Sequence, residues 1–241
     1  MAAQFEFHHK GYCDICEADV EFVATQRWFR DHLLCPQCLS VPRERALMNV
    51  LRRYYAKYRS LKIHESSPGG RGVSARLSRE CRKYSRSFFF ADTPLGETNS
   101  TFNARCENLE SLTFGEGVFD LFITQDVLEH VPDPTAAFRE ISRVLKPGGA
   151  HVFTVPLVNK CEPSAARVQR DENGALIYLK EAQYHGCPID ERGSLVTRDW
   201  GFDIVKFIHE ACGMATHMIT IDDIDRGIRA EYIEVLVSIK S

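Results

Sequence analysis

One segment constrains the fold of this chain more than any other. Residues 119–156 read FDLFITQDVLEHVPDPTAAFREISRVLKPGGAHVFTVP. Residues 118–124 are a short apolar run, which indicates a strand buried on both faces. Residues 137–145 repeat apolar side chains at helical spacing, and the KPGG that follows is typical of a helix end. Residues 151–155 are a second apolar run, so the segment predicts half of a doubly wound α/β unit, whose ligand lies at the carboxyl ends of the strands.

The same segment resembles a known family. Its pattern, FDL followed by EH-x-P-D and RVLKPGG, is similar to the fourth and fifth strands of class I S-adenosylmethionine (SAM)-dependent methyltransferases of the type 11 kind. The resemblance extends over about residues 60–240. It implies an α/β, Rossmann-like, doubly wound sheet of seven strands with the last strand antiparallel, SAM as cofactor and a methyl-transferring enzyme.

Upstream, a glycine-containing loop follows a short apolar strand. Glu65 ends that strand, and SSPGGRG follows it before a predicted helix. Glycine lets a backbone approach a nucleoside closely. By resemblance this is motif I of the family, with Glu65 as its acid and with Ser67, Gly69 and Gly70 near the methionine part of SAM. The family's G-x-G-x-G is altered, because Ser67 and Arg71 replace its outer glycines.

The resemblance assigns roles to further polar residues. Asp92 follows the second strand and would bind the ribose hydroxyls, although it could instead cap the turn at residues 92–96. Glu107 and Asn108 would bind the adenine. Two residues at the mouth of the fourth strand would face SAM and the acceptor, and these are Gln125 and the candidate catalytic residue Asp126.

Four cysteines near the N-terminus have the spacing of a metal site. Cys13 and Cys16 form one C-x-x-C pair, Cys35 and Cys38 form a second, and 18 residues separate the two pairs. This spacing is typical of a structural four-thiolate Zn²⁺ site, and a segment this short needs such a cross-link to be stable. Two disulfides and a redox motif are the competing interpretations. The predicted domains are therefore a zinc-binding module (1–42), a linking helix (43–60) and a methyltransferase domain (61–241).

A long connection follows the predicted fifth strand. Residues 157–198 exceed an ordinary loop and are predicted to be a lid or a substrate-recognition insert. His185 within it is the candidate general base, since histidine titrates near neutral pH and a hydroxyl acceptor must lose its proton. Tyr184, Asp190 and Trp200 are candidates for lining the pocket. His130 is interpreted mainly as a residue that braces its loop.

Charge and hydropathy narrow the range of possible methyl acceptors but do not identify one. Residues 43–86 carry 13 Lys/Arg against three Glu, whereas the whole chain has a net charge of −3. The basic segment permits an RNA methyltransferase as an alternative. The overall charge and the insert favour a small-molecule acceptor, such as a saccharide or other metabolite. A non-catalytic SAM-binding or zinc interaction module is the second alternative. The sequence shows no signal peptide and no apolar run of about 18 residues, so we expect a cytoplasmic protein that is not in a membrane.

Overall fold

The computed structural model describes residues 5–186 and 189–241. The helices are α1 (Phe29–His32), α2 (Pro42–Tyr54), α3 (Gly72–Glu80), α4 (Pro134–Val144) and α5 (Ile204–Cys212). The strands of the first half are β1 (Phe7–Cys13), β2 (Ala18–Ala24), β3 (Ile63–Ser66), β4 (Tyr84–Phe88), β5 (Thr98–Asn99), β6 (Ala104–Cys106) and β7 (Phe119–Gln125). Those of the second half are β8 (Leu145–Thr154), β9 (Ala165–Ala166), β10 (Val168–Arg170), β11 (Leu176–Tyr178), β12 (Tyr184–His185), β13 (Ser194–Leu195), β14 (Arg198–Asp199), β15 (Ala215–Ile219) and β16 (Val235–Ile239).

A mixed sheet of eight strands forms the centre of the molecule, in the order β15-β16-β8-β7-β3-β4-β6-β5. The strands from β8 to β6 run parallel, and β16 runs antiparallel to both of its neighbours. The α/β class and the antiparallel last strand are therefore confirmed. The predicted number of seven strands is wrong, because the two-residue edge strand β5 pairs with β6. So short a strand has no hydrophobic periodicity from which to predict it.

The segment at residues 119–156 folds as strand, helix and strand, as predicted. Asp133 caps α4 by accepting a hydrogen bond from the Ala136 backbone N–H at 3.0 Å. The KPGG residues belong to β8 and not to a separate turn, and the pairing register of β7 and β8 shifts there. Gly149 is required at this shift, since a Cβ atom would lie 2.9 Å from the Lys146 carbonyl oxygen.

The N-terminal hairpin of β1 and β2 shares a core with the rest of the chain. Phe22 and Leu33 pack in the same buried cluster as Leu47 of α2 and Ile123 of β7. Arg45, fully buried, joins these parts: its guanidinium donates to the Leu33 carbonyl at 2.8 Å and the Gly227 carbonyl at 2.7 Å. One arginine of the basic segment is thus structural.

The insert predicted at residues 157–198 is built from three small antiparallel pairs: β9 with β14, β10 with β11, and β12 with β13. Cys187 and Pro188, which belong to it, lie outside the described residues. Among the residues that the structure describes, no helix is long and apolar enough to cross a membrane.

Candidate functional site

A cleft of about 1240 Å³ opens at the carboxyl ends of β3, β4 and β7. This is the edge of the sheet at which a doubly wound fold binds its ligand. The start of α2 contributes one wall, and the insert contributes another. Of the site residues predicted from the sequence, Ser67, Gly69, Asp92, Glu107, Asn108, Gln125 and Asp126 line the cleft.

Glu65 lies behind the cleft and holds Gln125. Its fully buried carboxylate accepts hydrogen bonds from Ser74 Oγ and Gln125 Nε2, both at 2.7 Å, and from the Tyr84 hydroxyl at 2.8 Å. Burial raises the pKa of Glu65, and the three donors oppose that rise. Gln125 Oε1 is buried and has no hydrogen-bond partner among the residues that the structure describes. The geometry gives Glu65 a positioning role and leaves one acceptor of Gln125 for a ligand.

The loop after β3 has an unusual backbone. Ser67 has a φ of 55°, in the left-handed region that non-glycine residues rarely adopt, and its N–H donates to the Ser87 carbonyl at 2.8 Å. Gly69 lines the cleft, whereas Gly70, with a φ of 69°, is exposed and is not among the lining residues. Such backbone conformations concentrate at ligand sites.

Glu44, in the first turn of α2, faces this loop from the opposite wall. Its Oε2 accepts a hydrogen bond from the Val41 backbone N–H at 2.8 Å, and its Oε1 lies 3.9 Å from Arg71 Nε. Only 6% of the side chain is exposed, and burial raises the pKa of its carboxyl. A Cβ atom at position 72 would lie 2.8 Å from Glu44 Oε1, so a larger residue than Gly72 would displace the Glu44 carboxylate.

The three residues predicted to bind ribose and adenine differ in availability. Asp92 is exposed and accepts a hydrogen bond from Thr93 Oγ1 at 3.2 Å. Glu107 is buried, and its carboxylate accepts from Arg105 Nε and from the Thr113 side chain and backbone. Asn108 Oδ1 accepts from the Glu110 backbone N–H at 2.9 Å. Glu107 therefore shapes the loop, and the amide nitrogen of Asn108 is the group best placed to contact a base.

Aromatic side chains form the cleft wall beside Asp92. Phe88, Phe89, Phe90 and Phe102 all line it. The rings of Phe90 and Phe102 stack with their centroids 5.2 Å apart. Such a wall is suited to a planar, apolar ring system.

Asp126 is held by two arginines from the N-terminal part of the chain. Its Oδ2 lies 2.8 Å from Arg30 Nη2 and 2.7 Å from Arg43 Nε, and its Oδ1 accepts from Thr154 Oγ1 at 3.1 Å. Burial by itself would raise the pKa of Asp126, but the charges of Arg30 and Arg43 hold it below its usual value. The φ of Asp126 is 52°, so Asp126 is a second non-glycine residue at the cleft with a left-handed backbone. The side chain is thus an ionised carboxylate with its oxygens engaged.

His185 borders a smaller cavity of about 250 Å³ next to the cleft. Its Nδ1 lies 3.8 Å from Glu129 Oε1, and its ring meets that of His130 edge-on with the centroids 5.2 Å apart. His130 lines the main cleft and is braced by the Leu195 carbonyl, 2.9 Å from its Nδ1. The structure therefore brings the candidate base together with a buried glutamate and a second histidine. Of the predicted lining residues, Asp190 lines the cleft and Trp200 is fully buried in the core.

The four N-terminal cysteines converge on one point. The Cys13 and Cys38 sulfurs are 3.8 Å apart, and the Cys16 and Cys35 sulfurs are 3.6 Å apart. All four sulfurs lie within 4.8 Å of one another. Disulfide sulfurs are about 2.0 Å apart, whereas sulfurs bound at about 2.3 Å to a tetrahedral ion are separated by roughly 3.8 Å. The arrangement fits a four-thiolate metal site and does not contain disulfides.

Sequence reasoning missed four residues of this region. Arg30, Arg43 and Glu44 come from the N-terminal part of the chain, and Glu129 comes from the turn after β7. The sequence carries no signal for Arg30. Pro42 at the first position of α2 was the available signal that Glu44 lies at a helix start.

The comparisons with known proteins agree with this geometry. The family described as "Methyltransferase domain" matches residues 73–153, from α3 to β8. A sarcosine/dimethylglycine N-methyltransferase of Halorhodospira halochloris is 32% identical over 134 residues, which are 52% of this chain and 45% of the relative. Residues 73–153 therefore match a methyltransferase domain, which supports an enzyme that uses SAM.

Two further relatives add to the picture of this methyltransferase domain. A ubiquinone biosynthesis O-methyltransferase of Xanthomonas oryzae is 43% identical over 54 residues, 22% of this chain and 23% of the relative. A solved SAM-dependent methyltransferase of Mesorhizobium loti is 18% identical, with a TM-score of 0.50 over 81% of this chain and 98% of that one. The latter likeness supports the fold alone. The matches span less than half the length of these curated relatives.

Proposed function

We propose that the protein transfers a methyl group from SAM to a small-molecule acceptor. The observation that carries the proposal is the cleft at the carboxyl ends of β3, β4 and β7, on a sheet whose central part matches the methyltransferase family. The methyl group of SAM is carried by a sulfonium cation, so transfer needs an acceptor atom aligned in line with it.

The residues of the cleft fit the parts of SAM. Gln125 Oε1, which has no partner, and Glu44 Oε1 are acceptors suited to the α-ammonium group of the methionine part. The Ser67–Gly69 loop, which lines the cleft, would lie next to that part, and the aromatic wall with Asn108 is suited to adenine. Asp92 is the acid available to the ribose hydroxyls. Asp126 and its arginines would then fix the wall from which the acceptor is approached.

A small molecule fits the cleft better than RNA does. The insert contributes Leu176, Gly186 and Ile189, among others, to one wall, so the space for an acceptor is enclosed on that side. The curated relatives are named for sarcosine, dimethylglycine and ubiquinone biosynthesis, all small molecules. In the basic segment, Arg45 and Arg76 are buried and donate to backbone carbonyls, so they are not available to phosphates.

If the acceptor is a hydroxyl or an ammonium, a proton must leave it during transfer. His130 lines the cleft and lies close to Glu129 and His185, which line the neighbouring cavity, and the proposed destination of the proton is this cluster. For the N-terminal cysteines we propose one structural Zn²⁺ ion, since four thiolates leave it no open position for chemistry.

Calorimetric titration with SAM and with its demethylated product tests the cofactor half of the proposal. Asn108→Asp keeps the acceptor that holds the Glu110 N–H and removes the side-chain donor, so affinity should fall about fivefold for one lost hydrogen bond. The matched control is Asn173→Asp on the exposed insert. A folded protein that binds neither compound would refute the proposal and favour an interaction module.

The acceptor half needs a separate assay. Methyl transfer from labelled SAM should be measured against panels of small amines, hydroxyl compounds and saccharides, with total RNA as the competing substrate. Transfer only to RNA, with an affinity that falls steeply with salt, would favour the RNA alternative.

A further inference from the structure

The turn after β7 and the insert bring three metal-binding side chains together. Glu129 and His130 lie in the turn Leu128–His130, and His185 lies in β12. Glu129 Oε1 is 3.7 Å from His130 Nε2 and 3.8 Å from His185 Nδ1. A ligand atom from each of the three residues lies within 4.8 Å of the other two.

Glu129 is the unusual member of this cluster. Only 1% of its side chain is exposed, and within residues 5–186 and 189–241 neither of its carboxylate oxygens has a hydrogen-bond partner. Its backbone is fixed, because its carbonyl accepts from the Thr197 N–H at 2.7 Å and from Thr197 Oγ1 at 3.0 Å. Buried polar groups are nearly always satisfied, and an unpaired buried carboxylate is costly. The polar groups next to the carboxylate are the ring nitrogens of His130 and His185, at ion-pair distance and beyond hydrogen-bond distance.

The Nε2 atom of His130 presents a lone pair on the side of the Glu129 carboxylate. A carbonyl can only accept a hydrogen bond, so the contact of 2.9 Å with the Leu195 carbonyl places the proton of a neutral His130 on Nδ1. Its Nε2, on the side of Glu129, is then free to bind a cation. A hydrogen bond from the far ring nitrogen to a carbonyl is how metal-ligating histidines are usually oriented.

We propose that Glu129, His130 and His185 bind a divalent transition-metal ion, separate from the ion at the four cysteines. Two histidines and one carboxylate are a ligand set that suits such ions and leaves coordination positions open. Ligand atoms at about 2.1 Å from a shared ion are separated by roughly 3.0–3.4 Å, so the two distances from Glu129 Oε1 to the histidines must shorten by about half an ångström around the ion.

The open positions border a cavity that favours an oxygen-bearing ligand. Glu129 and His185 line the cavity of about 250 Å³ together with Arg167 and Arg198, and Arg167 Nε is buried without a hydrogen-bond partner in the described part of the chain. An acceptor whose carboxylate or ionised hydroxyl binds the ion could also accept from Arg167. This inference rests on the proposed function and changes the role of His185 from base to ligand, since a bound metal itself lowers the pKa of a hydroxyl ligand.

Co²⁺ titration of the full-length protein tests the site. The cysteine site should first be loaded with Zn²⁺, which thiolates retain, and excess ion removed. Wild-type protein should bind one Co²⁺ per chain with weak d–d absorption and no thiolate charge-transfer band. Glu129→Gln and His185→Gln should each weaken Co²⁺ binding by at least about 100-fold, since lesser outer-sphere changes cost 10–100-fold. His217→Gln, on the exposed face of β15, is the matched control.

Three results would overturn the site. One is the absence of Co²⁺ binding by the Zn²⁺-loaded wild-type protein. Another is unchanged affinity in His185→Gln, which removes a ligand from the insert and not from the core. The third is that the protein binds no metal ion and that His185→Gln loses methyl transfer. That result is expected if Glu129 forms an ion pair with a protonated histidine. Calorimetry with the SAM product in the same samples separates this failure from failure of the proposed function.

Discussion

Asp126→Asn should destabilise the protein and loosen its N-terminal part from the sheet. The Asp126 carboxylate, 16% exposed, lies within 2.8 Å of both Arg30 and Arg43. Removing one partner of a buried ion pair costs about 3–5 kcal/mol. The low end of this range applies here, because both arginines retain another partner. Arg43 still donates to the Asp31 carboxylate at 2.7 Å, and Arg30 Nε still donates to the Tyr232 carbonyl at 3.2 Å. We therefore expect the free energy of unfolding to fall by about 3 kcal/mol.

For a chain of this length, that loss lowers the Tm by roughly 6–12 °C. Urea unfolding at pH 7 measures the free energy, and Asp19→Asn, exposed on β2, is the control with the same chemical change. The pair Arg30→Met with Asp126→Asn, as a double-mutant cycle, isolates the coupling between the two side chains.

The effect has a defined pH dependence. The pKa of Asp126 is lowered in the folded state, so the contribution of its charge is fully present above the unfolded pKa of about 3.9 and is lost as pH falls through the lower folded pKa. The difference between wild type and Asp126→Asn should therefore shrink on acidification. A difference below about 0.5 kcal/mol at pH 7, or one that does not shrink, would refute the proposed ion-pair cluster.

Three other predictions follow from buried groups. Cys16→Ser should remove one zinc ion per chain, which elemental analysis measures. It should also weaken binding of the SAM product, because Arg30 lies in the sequence between the two cysteine pairs and contacts the cleft residue Asp126. Unchanged metal content would exclude the four-thiolate site. His64 and His151 are buried in their neutral forms, each with a pKa of about 3, so the unfolded chain binds more protons than the folded one between about pH 6.5 and pH 3. The free energy of unfolding should therefore fall with decreasing pH by up to about 1.4 kcal/mol per pH unit for each histidine. Urea unfolding from pH 7 to pH 4 measures this fall, and a flat profile would contradict it. Gly72→Ala should lower the free energy of unfolding by about 1–3 kcal/mol, since it places a Cβ atom against Glu44 at a φ of 51°. Gly174→Ala, also at positive φ but with open space around it, should lower it less. Equal losses of stability in thermal unfolding would show that the contact with Glu44 contributes nothing.

The elements of the fold were predictable because their signals are local. The apolar runs at residues 118–124 and 151–155 become β7 and β8, and the helical spacing between them becomes α4. The edge strand β5 and the small pairs of the insert could not be predicted, since two or three residues carry no periodicity.

The candidate site was predictable only in part. The resemblance placed Ser67, Gly69, Asn108 and Gln125 at the cleft, where the structure has them. It assigned Glu65 to the cofactor, whereas the structure gives the Glu65 carboxylate three donors inside the protein. Whether a carboxylate faces a ligand or a neighbouring side chain depends on packing, which the residue type alone does not determine.

The sequence by itself determined the α/β class, the position of the nucleoside-binding edge and the pairing of two C-x-x-C motifs, because spacing along the chain sets each of them. Only the tertiary structure decided which distant residues meet. Arg30 and Asp126 are 96 positions apart, and Glu129 and His185 are 56 apart in sequence. Contacts over such separations follow from the path of the whole chain and the exclusion of water from one shared core, so no local pattern encodes them.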